Sequence, residues 1–295
     1  MKISVIILNW NRRNDVLRAV TSLQPVLRPG DEVLVWDNGS SDESVAALRT
    51  TFSNWPALHI LESDQNIGVC RSRNEAARVA KGDVLLFMDS DAELVTQDAA
   101  ERIEQRLSDD QQTVAINFEI RRPDGRALWP FHRDQTVWSR KEFPITRIDG
   151  CGFAIRKSAF TEAGGFPEHF GYGAEEHYLA RRLIGLGYEV VYFPEVAVIH
   201  HQAPSGRTTD QFSTMMRNHI WMPLELFRMP WAAASALRMM AVYGRDAWRE
   251  RRLRNYLRGL WWTARDFRWS RRRPLSRPAW RRYREIIHED RRHGA

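Results

Sequence analysis

The triplet Asp89-Ser90-Asp91 directly follows the apolar run Val84-Leu85-Leu86-Phe87-Met88. Two carboxylates two residues apart at a strand end can share a divalent cation and a ribose hydroxyl. Mg2+ or Mn2+ is normally held by one or two carboxylates plus substrate phosphates rather than by a full protein cage. Taken alone, the triplet equally suits a solvated Asx turn before a helix near Thr96. Asp37 closes the apolar run that starts at Glu32, where a carboxylate can accept an N–H from a nucleobase; Asp42 reads as a helix N-cap, with Ser41 as its competitor. Glu175-Glu176 opens a helix whose Leu179, Leu183 and Leu186 share one face. Acids in a first turn are favoured by the helix dipole. Two adjacent carboxylates also raise each other's pKa, which suits a general base working near neutral pH. His200 ends an apolar strand, from which it could reach Asp91 as a second metal ligand or serve a structural role.

These residues need elements to position them. Over the first hundred residues, apolar runs alternate with amphipathic segments: strands over Ile3–Leu8, Glu32–Asp37, Leu58–Glu62 and Val84–Met88, and helices over Asn14–Leu23, Asp42–Thr51 and Val69–Ala80. Near-continuous apolar strands suit a parallel sheet buried on both faces, and the alternation with helices predicts a doubly wound α/β sheet. Ligands of such sheets bind beyond the carboxyl ends of the strands. The loops there are Asn9-Trp10-Asn11, Asp37 to Asp42, Asn66-Ile67-Gly68 and Asp89-Ser90-Asp91, so four consecutive units bring polar clusters to one edge. The pattern weakens from Arg121 to Phe143. Gly150 to Arg156, a short helix Lys157–Ala163 and Gly164-Gly165-Phe166 follow. A helix over Ala174–Leu186 then leads to strands over Glu189–Phe193 and Ala197–Ile199, and beyond Thr208 the chain reads as helix interrupted by Pro223, Pro230, Pro274 and Pro278.

Composition narrows the classes. With 43% hydrophobic and 27% charged residues, the 295-residue chain can build a core, which excludes disordered and collagen-like classes. Two cysteines, Cys70 and Cys151, give neither a disulfide framework nor a four-ligand zinc site, and both read as small buried residues. The apolar start Ile3–Leu8 is too short for a signal-peptide core, and the stretch from Met229 to Gly244 is interrupted by Arg238 and too short to span a bilayer. A cytoplasmic protein, soluble or peripheral on the inner face of the membrane, is expected. Residues 245–295 hold 17 arginines against six acids, while the rest of the chain is mildly acidic. Tryptophans are interleaved with those arginines, a combination that fits an anionic membrane surface, equally a helical subdomain with an arginine-coated solvent face, and less readily nucleic acid.

Order and spacing together resemble the inverting glycosyltransferases of family 2. The matching pieces are Val5 to Asn11, Val35 to Asp42, Asn66-Ile67-Gly68 with Arg73-Asn74, Asp89-Ser90-Asp91, Gly150 to Arg156, Gly164-Gly165-Phe166, Glu175-Glu176 and Ala197-Val198-Ile199-His200. The resemblance implies an α/β GT-A nucleotide-sugar-binding fold, a Rossmann-like mixed sheet flanked by helices, over residues 1–205, with a basic, Trp-rich helical extension over 206–295. It implies a nucleotide-sugar site of Asn9, Asn11, Asp37, Asn66, Arg73, Asn74, Asp89 and Ser90. Asp91 and His200 would be ligands of Mg2+ or Mn2+, and Glu176, paired with Glu175, the catalytic base. The family commonly carries Glu-Asp or Asp-Asp where this chain has Glu175-Glu176, and often an acid where Tyr178 stands.

The implied reaction moves a sugar from a nucleoside-diphosphate donor to a hydroxyl of a glycan or lipid-linked acceptor. A divalent ion steadies the leaving phosphate and a carboxylate takes the acceptor proton, with inversion at C1. Two readings compete: a non-catalytic nucleotide-binding module with a basic tail for membrane or nucleic acid, and a nucleotidyltransferase, which also uses paired acids and a metal. Asp91, Glu176 and His200 together favour transfer of a sugar.

Overall fold

The computed structural model describes residues 1–202 and 211–294, so the expected boundary at 205/206 and Thr208 lie outside the described residues. The first half runs β1 (Ile3–Asn9), α1 (Arg13–Leu23), β2 (Glu32–Asp37), α2 (Ser44–Thr51), β3 (Leu58–Glu62), α3 (Val69–Val79), β4 (Val84–Asp89), β5 (Ala92–Leu94), α4 (Ala99–Asp109) and β6 (Thr113–Arg121). It continues with α5 (Gln135–Trp138), β7 (Phe143–Pro144), β8 (Gly152–Arg156), α6 (Lys157–Ala163), α7 (Glu175–Gly185) and β9 (Glu189–His200), and closes with α8 (Gln211–Leu226), α9 (Trp231–Arg249), α10 (Leu253–Asp266) and α11 (Arg277–Arg292).

Among the described residues nine strands form one sheet, ordered β3-β2-β1-β4-β8-β6-β9-β5, with β7 paired to β9. β3, β2, β1 and β4 are parallel; β8 runs antiparallel to both β4 and β6, and β5 antiparallel to β9. The sheet is therefore mixed rather than uniformly parallel. Side-chain alternation divides the strands between two cores. Along β4, Leu85 and Phe87 enter one core while Val84, Leu86 and Met88 enter the other. The first core is covered by α3, α6 and α7, the second by α1 and α4.

Two expectations change in detail. Glu189–Phe193 and Ala197–Ile199 belong to the single strand β9, whose register against β6 slips between Phe118 and Glu119. Pro194 falls in that irregularity, the place in a ladder where a residue without an N–H is tolerated. Asp89-Ser90-Asp91 leads into the short strand β5 rather than directly into a helix.

The C-terminal helices share the core of the sheet. Trp221, Met222, Leu226, Phe227, Leu275, Tyr283 and Ile286 join the same cluster as Phe87 and Leu179. A smaller cluster of Met216, Ile220 and Ala236, flanked by Tyr243, Tyr256 and Leu260, holds α8, α9 and α10 to one another.

Candidate functional site

Because β1, β2 and β4 are parallel and in register, Asn9, Asp37 and Asp89 end at the same edge: Asn9 pairs with Asp37, and Leu8 with Asp89. The edge is first a frame. Asn9 Nδ2 donates to Asp37 Oδ2 at 2.8 Å and to Ser40 Oγ at 3.2 Å, while the Ser40 backbone N–H donates to Asp37 Oδ1 at 2.8 Å. Asn11 Oδ1 accepts from the Ser41 backbone N–H at 2.7 Å. Asp42 Oδ2 accepts from the backbone N–H of Arg13, the first residue of α1, at 2.9 Å, and its Oδ1 from the Ser44 N–H at 3.2 Å, so one carboxylate steadies two helix starts. Gly39 makes this turn possible: it sits at φ +77°, and a Cβ there would lie 2.9 Å from the Cα of Gln65. Asn38 ties the frame to the next loop, donating to Asn66 Oδ1 at 2.8 Å and accepting from the Ile67 N–H at 2.9 Å.

The centre of the site is Arg73, a buried residue of α3. Its guanidinium donates to Glu176 Oε1 and to Asp89 Oδ1, both at 2.7 Å, and lies 3.8 Å from Glu175 Oε1. Breaking a buried pair by removing one partner leaves an uncompensated charge, so these four residues hold one another in place. The two glutamates begin α7, where the helix dipole favours negative charge. Ala174 just before them adopts φ +68°, a left-handed conformation that costs an alanine about 1–2 kcal/mol. This strained turn sets the direction in which both carboxylates leave the helix. A Cβ at Gly150 would lie 2.1 Å from Glu176 Oε1, so only glycine lets that carboxylate reach Arg73. Burial, then the adjacent Glu176 charge, push the Glu175 carboxyl well above the ordinary range, with Arg73 opposing; its Oε2 makes no hydrogen bond among the described residues. Asp89 keeps 34% of its side chain open, yet the enclosing walls push it up to about 6, against the pull of Arg73 and with the help of Asp91.

Beside this centre, β5 pairs with the end of β9, placing Ala92 opposite His200, and the His201 N–H donates to the Asp91 carbonyl at 2.9 Å. His200 Nε2 thereby lies 3.5 Å from Asp91 Oδ1, while Arg12 contacts Asp91 Oδ2. Burial works to raise the Asp91 pKa, but His200 and Arg12 outweigh it and hold the carboxyl well below the usual range. For His200 the balance is reversed: burial lowers its pKa, and Asp91 and Asp89 more than offset that. Donor atoms of Asp89, Cys151 and His200 also lie within 4.8 Å of one another. Burial pushes the Cys151 thiol up, so it stays protonated and is a poor ligand for a hard cation.

These groups open into one cleft of about 840 Å3. Of the residues expected at the site, Asn66, Arg73, Asp89, Ser90, Asp91, Glu175, Glu176 and His200 line it. Asn9, Asn11, Asp37 and Asn74 are not part of the lining. For the first three the reason is the frame above, in which each side chain bonds to the turn. Both oxygens of Asp37, 3% exposed, already accept. Asn74 instead clamps Phe166, donating to its carbonyl and accepting from its N–H, both at 2.9 Å. Sequence reasoning missed Arg12, Asn38 and Asp149, which line the cleft, and gave Cys151 no place at the site. Arg12 and Asn38 stand inside polar loops already singled out, which was the available signal. The far wall comes from α8 and α10, through Gln211, Thr214, Met215, His219, Trp262 and Asp266.

Residues 4–164 match the family described as glycosyl transferase family 2. Among curated proteins, the chain is 30% identical over 215 residues to the O-antigen chain rhamnosyltransferase RfbN of Salmonella typhimurium, covering 68% of this chain and 66% of that protein. It is 27% identical over 209 residues to the glycosyltransferase AglE of Haloferax volcanii, covering 69% and 68%. Among solved structures, the mannosyltransferase PcManGT from Pyrobaculum calidifontis, in complex with GDP-Man and Mn2+, superposes with a TM-score of 0.64 at 17% identity, over 90% of this chain and 88% of that one. At that identity the likeness speaks for the fold, which is GT-A. With more than half of the chain inside the family match and its strand-end motifs gathered at one cleft, the protein belongs to glycosyl transferase family 2.

Proposed function

We propose that the chain transfers a sugar from a nucleoside-diphosphate donor to a hydroxyl of a glycan or lipid-linked acceptor of the cell envelope, with inversion at C1. What carries this reading is that a carboxylate of the α7 start, Glu176, and the strand-end carboxylate Asp89 are bound to the same arginine, 2.7 Å from each, inside one cleft. A donor and an acceptor side are thus joined through a single charged group. The names of the relatives, an O-antigen chain rhamnosyltransferase among them, support an envelope glycan.

The residues beside the centre fit a divalent ion. Asp91 and His200 stand 3.5 Å apart with Asp89 next to them, a carboxylate and imidazole set that leaves positions for phosphate oxygens. Mg2+ or Mn2+ bound there would supply Lewis-acid stabilisation of the leaving diphosphate. The rest falls to the chain itself. Glu176 accepts the proton of the acceptor hydroxyl as that oxygen bonds to C1. The C1–O bond to the diphosphate breaks on the opposite face, and its electron pair leaves with the nucleotide. Arg73 keeps Glu176 and Asp89 in register, and Glu175, held neutral by burial, spares Glu176 a second negative neighbour. Asn66 and Ser90 line the donor side, with Asn9, Asn11 and Asp37 shaping its edge and Asn74 fixing the Phe166 turn behind it. Helices α8 and α10 of the C-terminal extension complete the acceptor wall.

A screen of nucleoside-diphosphate sugars with Mn2+ or Mg2+ tests the proposal, reading free nucleoside diphosphate and the anomeric coupling of the product. Release of nucleoside diphosphate with an inverted product is expected. Release of sugar 1-phosphate, with the nucleoside monophosphate moved to the acceptor, would indicate a nucleotidyltransferase instead, and retained configuration would remove Glu176 as the base.

A further inference from the structure

We propose that the outward face of α9 and α10 is a docking surface for an anionic membrane. Eight of the thirteen exposed large apolar side chains among the described residues fall between Met229 and Trp269. On α10, Leu253, Leu257 and Trp261 follow at intervals of four, so they form one stripe, and they are 45%, 63% and 56% exposed. The face that packs inward is a different one, carried by Gly259 and Thr263 with Tyr256 and Leu260. Leu237 and Trp248 of α9 and Trp269 beyond α10 add further exposed apolar surface. Tyr256 contacts α9, its hydroxyl donating to the Met240 carbonyl at 3.2 Å, so the two helices lie side by side.

Charge decides which occupant fits this face. From Leu237 to Trp269 the chain holds nine arginines and three acids, with no lysine. Arg254 and Arg258 run along α10 beside the stripe, exposed, while Arg265, whose guanidinium lies 4.1 Å over the Trp261 ring, pairs with Asp266 at the cleft. A second copy of this chain would bring arginine against arginine, whereas lipid phosphates complement guanidinium groups and tryptophan favours the water–lipid boundary. No helix among the described residues is long and apolar enough to cross a membrane, so the surface lies on a bilayer rather than in it.

Three of the nine arginines beyond Trp269 act differently. Arg282 pairs with Glu189, Arg272 donates to the Leu224 and Phe227 carbonyls, and Arg284 lies 5.1 Å over the Trp231 ring. The ties of Arg282 and Arg284 hold α11, which contributes Tyr283 and Ile286 to the main core, and those of Arg272 hold the segment before it. The docking face lies on α9 and α10, while α11 also straps the chain to the core and keeps Arg277, Arg281, Arg291 and Arg292 on its exposed side. Trp262 and Asp266, on another face of α10, line the cleft. One helix thus puts its stripe toward lipid and a wall toward the site where a lipid-linked hydroxyl would arrive.

The test does not depend on the transfer reaction. Full-length protein is sedimented at low salt with vesicles of phosphatidylcholine carrying about 30% phosphatidylglycerol, and with phosphatidylcholine alone. Wild type is expected to bind the anionic vesicles and leave the neutral ones. Leu257→Ser with Trp261→Ser should reduce the bound fraction about tenfold, and Arg249→Gln with Arg254→Gln should also reduce it, because both contributions are needed. Val79→Ser, which removes an apolar residue 51% exposed on α3, should bind as wild type does. Circular dichroism and thermal melting of all variants should match wild type, since the changed side chains are exposed. Failure to bind anionic vesicles overturns the proposal, as does binding indifferent to the stripe variants. So does a concentration-dependent dimer that those variants dissolve, which would make the face an interface between copies.

Discussion

The two walls of the cleft are built by different means. On the sheet side, side chains at the ends of β1, β2 and β4 bond to one another before any ligand arrives: Asn9 to Asp37, Asn38 to Asn66, Arg73 to Asp89 and Glu176. On the helix side, α8 and α10 contribute Gln211, Thr214, His219 and Trp262; α8 is anchored in the main core through Trp221, Met222 and Leu226, and α10 packs on it through a smaller cluster. A polar network in a low-dielectric interior is costly to leave half-satisfied, which makes the first wall rigid. Gln211, Thr214 and Trp262 of the second wall stand outside that network, although Asn218 ties α8 to the carbonyls of Phe170, Tyr172 and Gly173. Rigidity belongs where bonds break; adaptability belongs where acceptors differ.

The largest effect should follow from Arg73→Met. It leaves Asp89, Glu175 and Glu176 together without their cation, so a loss of about 3–5 kcal/mol in denaturant unfolding is expected, with turnover gone. A small stability change would mean that the sheet-side network is not the rigid partner. Glu176→Gln separates chemistry from architecture. It keeps a hydrogen-bonding group against Arg73, and turnover should fall by about 10²–10⁴-fold with donor affinity unchanged. If Glu175→Gln shows that loss instead, the base has been assigned to the wrong member of the pair.

Glu175 also makes stability depend on pH. Its folded pKa is raised, so between the ordinary carboxylate value and the raised one the folded state binds the extra proton, and stability falls as pH rises through that window. Thermal melting from pH 5 to pH 8 should therefore favour Glu175→Gln over wild type increasingly at the alkaline end. Parallel curves would show that this carboxyl is not held neutral. The smallest effect is expected on the other wall. Trp262→Ala should cost about 1 kcal/mol of stability and leave donor binding intact, while the acceptor KM rises. A loss as large as that of Arg73→Met would erase the contrast between the walls.

The same contrast explains how much was legible in the sequence. β2 and β3 have the bounds read from their apolar runs, and β1 and β4 extend by one residue each, to Asn9 and Asp89. β1, β2 and β4, buried on both faces, write themselves into local composition, while the edge strand β3 is marked by Leu58, Ile60 and Leu61 alone. β5 does not, because three residues carry no periodicity and Ala92–Leu94 becomes a strand only by pairing with the distant end of β9. Thr113–Arg121 also carries a strand signal, with Val114, Ile116, Phe118 and Ile120 alternating, but it runs directly into the weakly patterned stretch that follows. The acidic pairs were found by type and position, but their common partner was not. Arg73 was assigned to the nucleotide-sugar loop, and nothing along the chain says that it bridges residues 16 and 103 positions away. Asn74 shows the converse: a polar residue in a matching motif whose work is to hold Phe166. Charge adds along a sequence and makes the tail one cationic unit, whereas packing gives α11 a share in the main core.

The most direct test of the proposed chemistry is donor binding by calorimetry, using the nucleoside-diphosphate sugar turned over in the screen, with and without Mn2+, in wild type, Glu176→Gln and Asp91→Ala. Mn2+ should tighten donor binding in wild type and in Glu176→Gln, and should have no effect in Asp91→Ala, whose fold is retained because the ligand stands on a loop between β4 and β5. Equal donor affinity with and without Mn2+ in wild type would contradict the assignment of Asp91 and His200, and with it a metal-assisted transfer at this cleft.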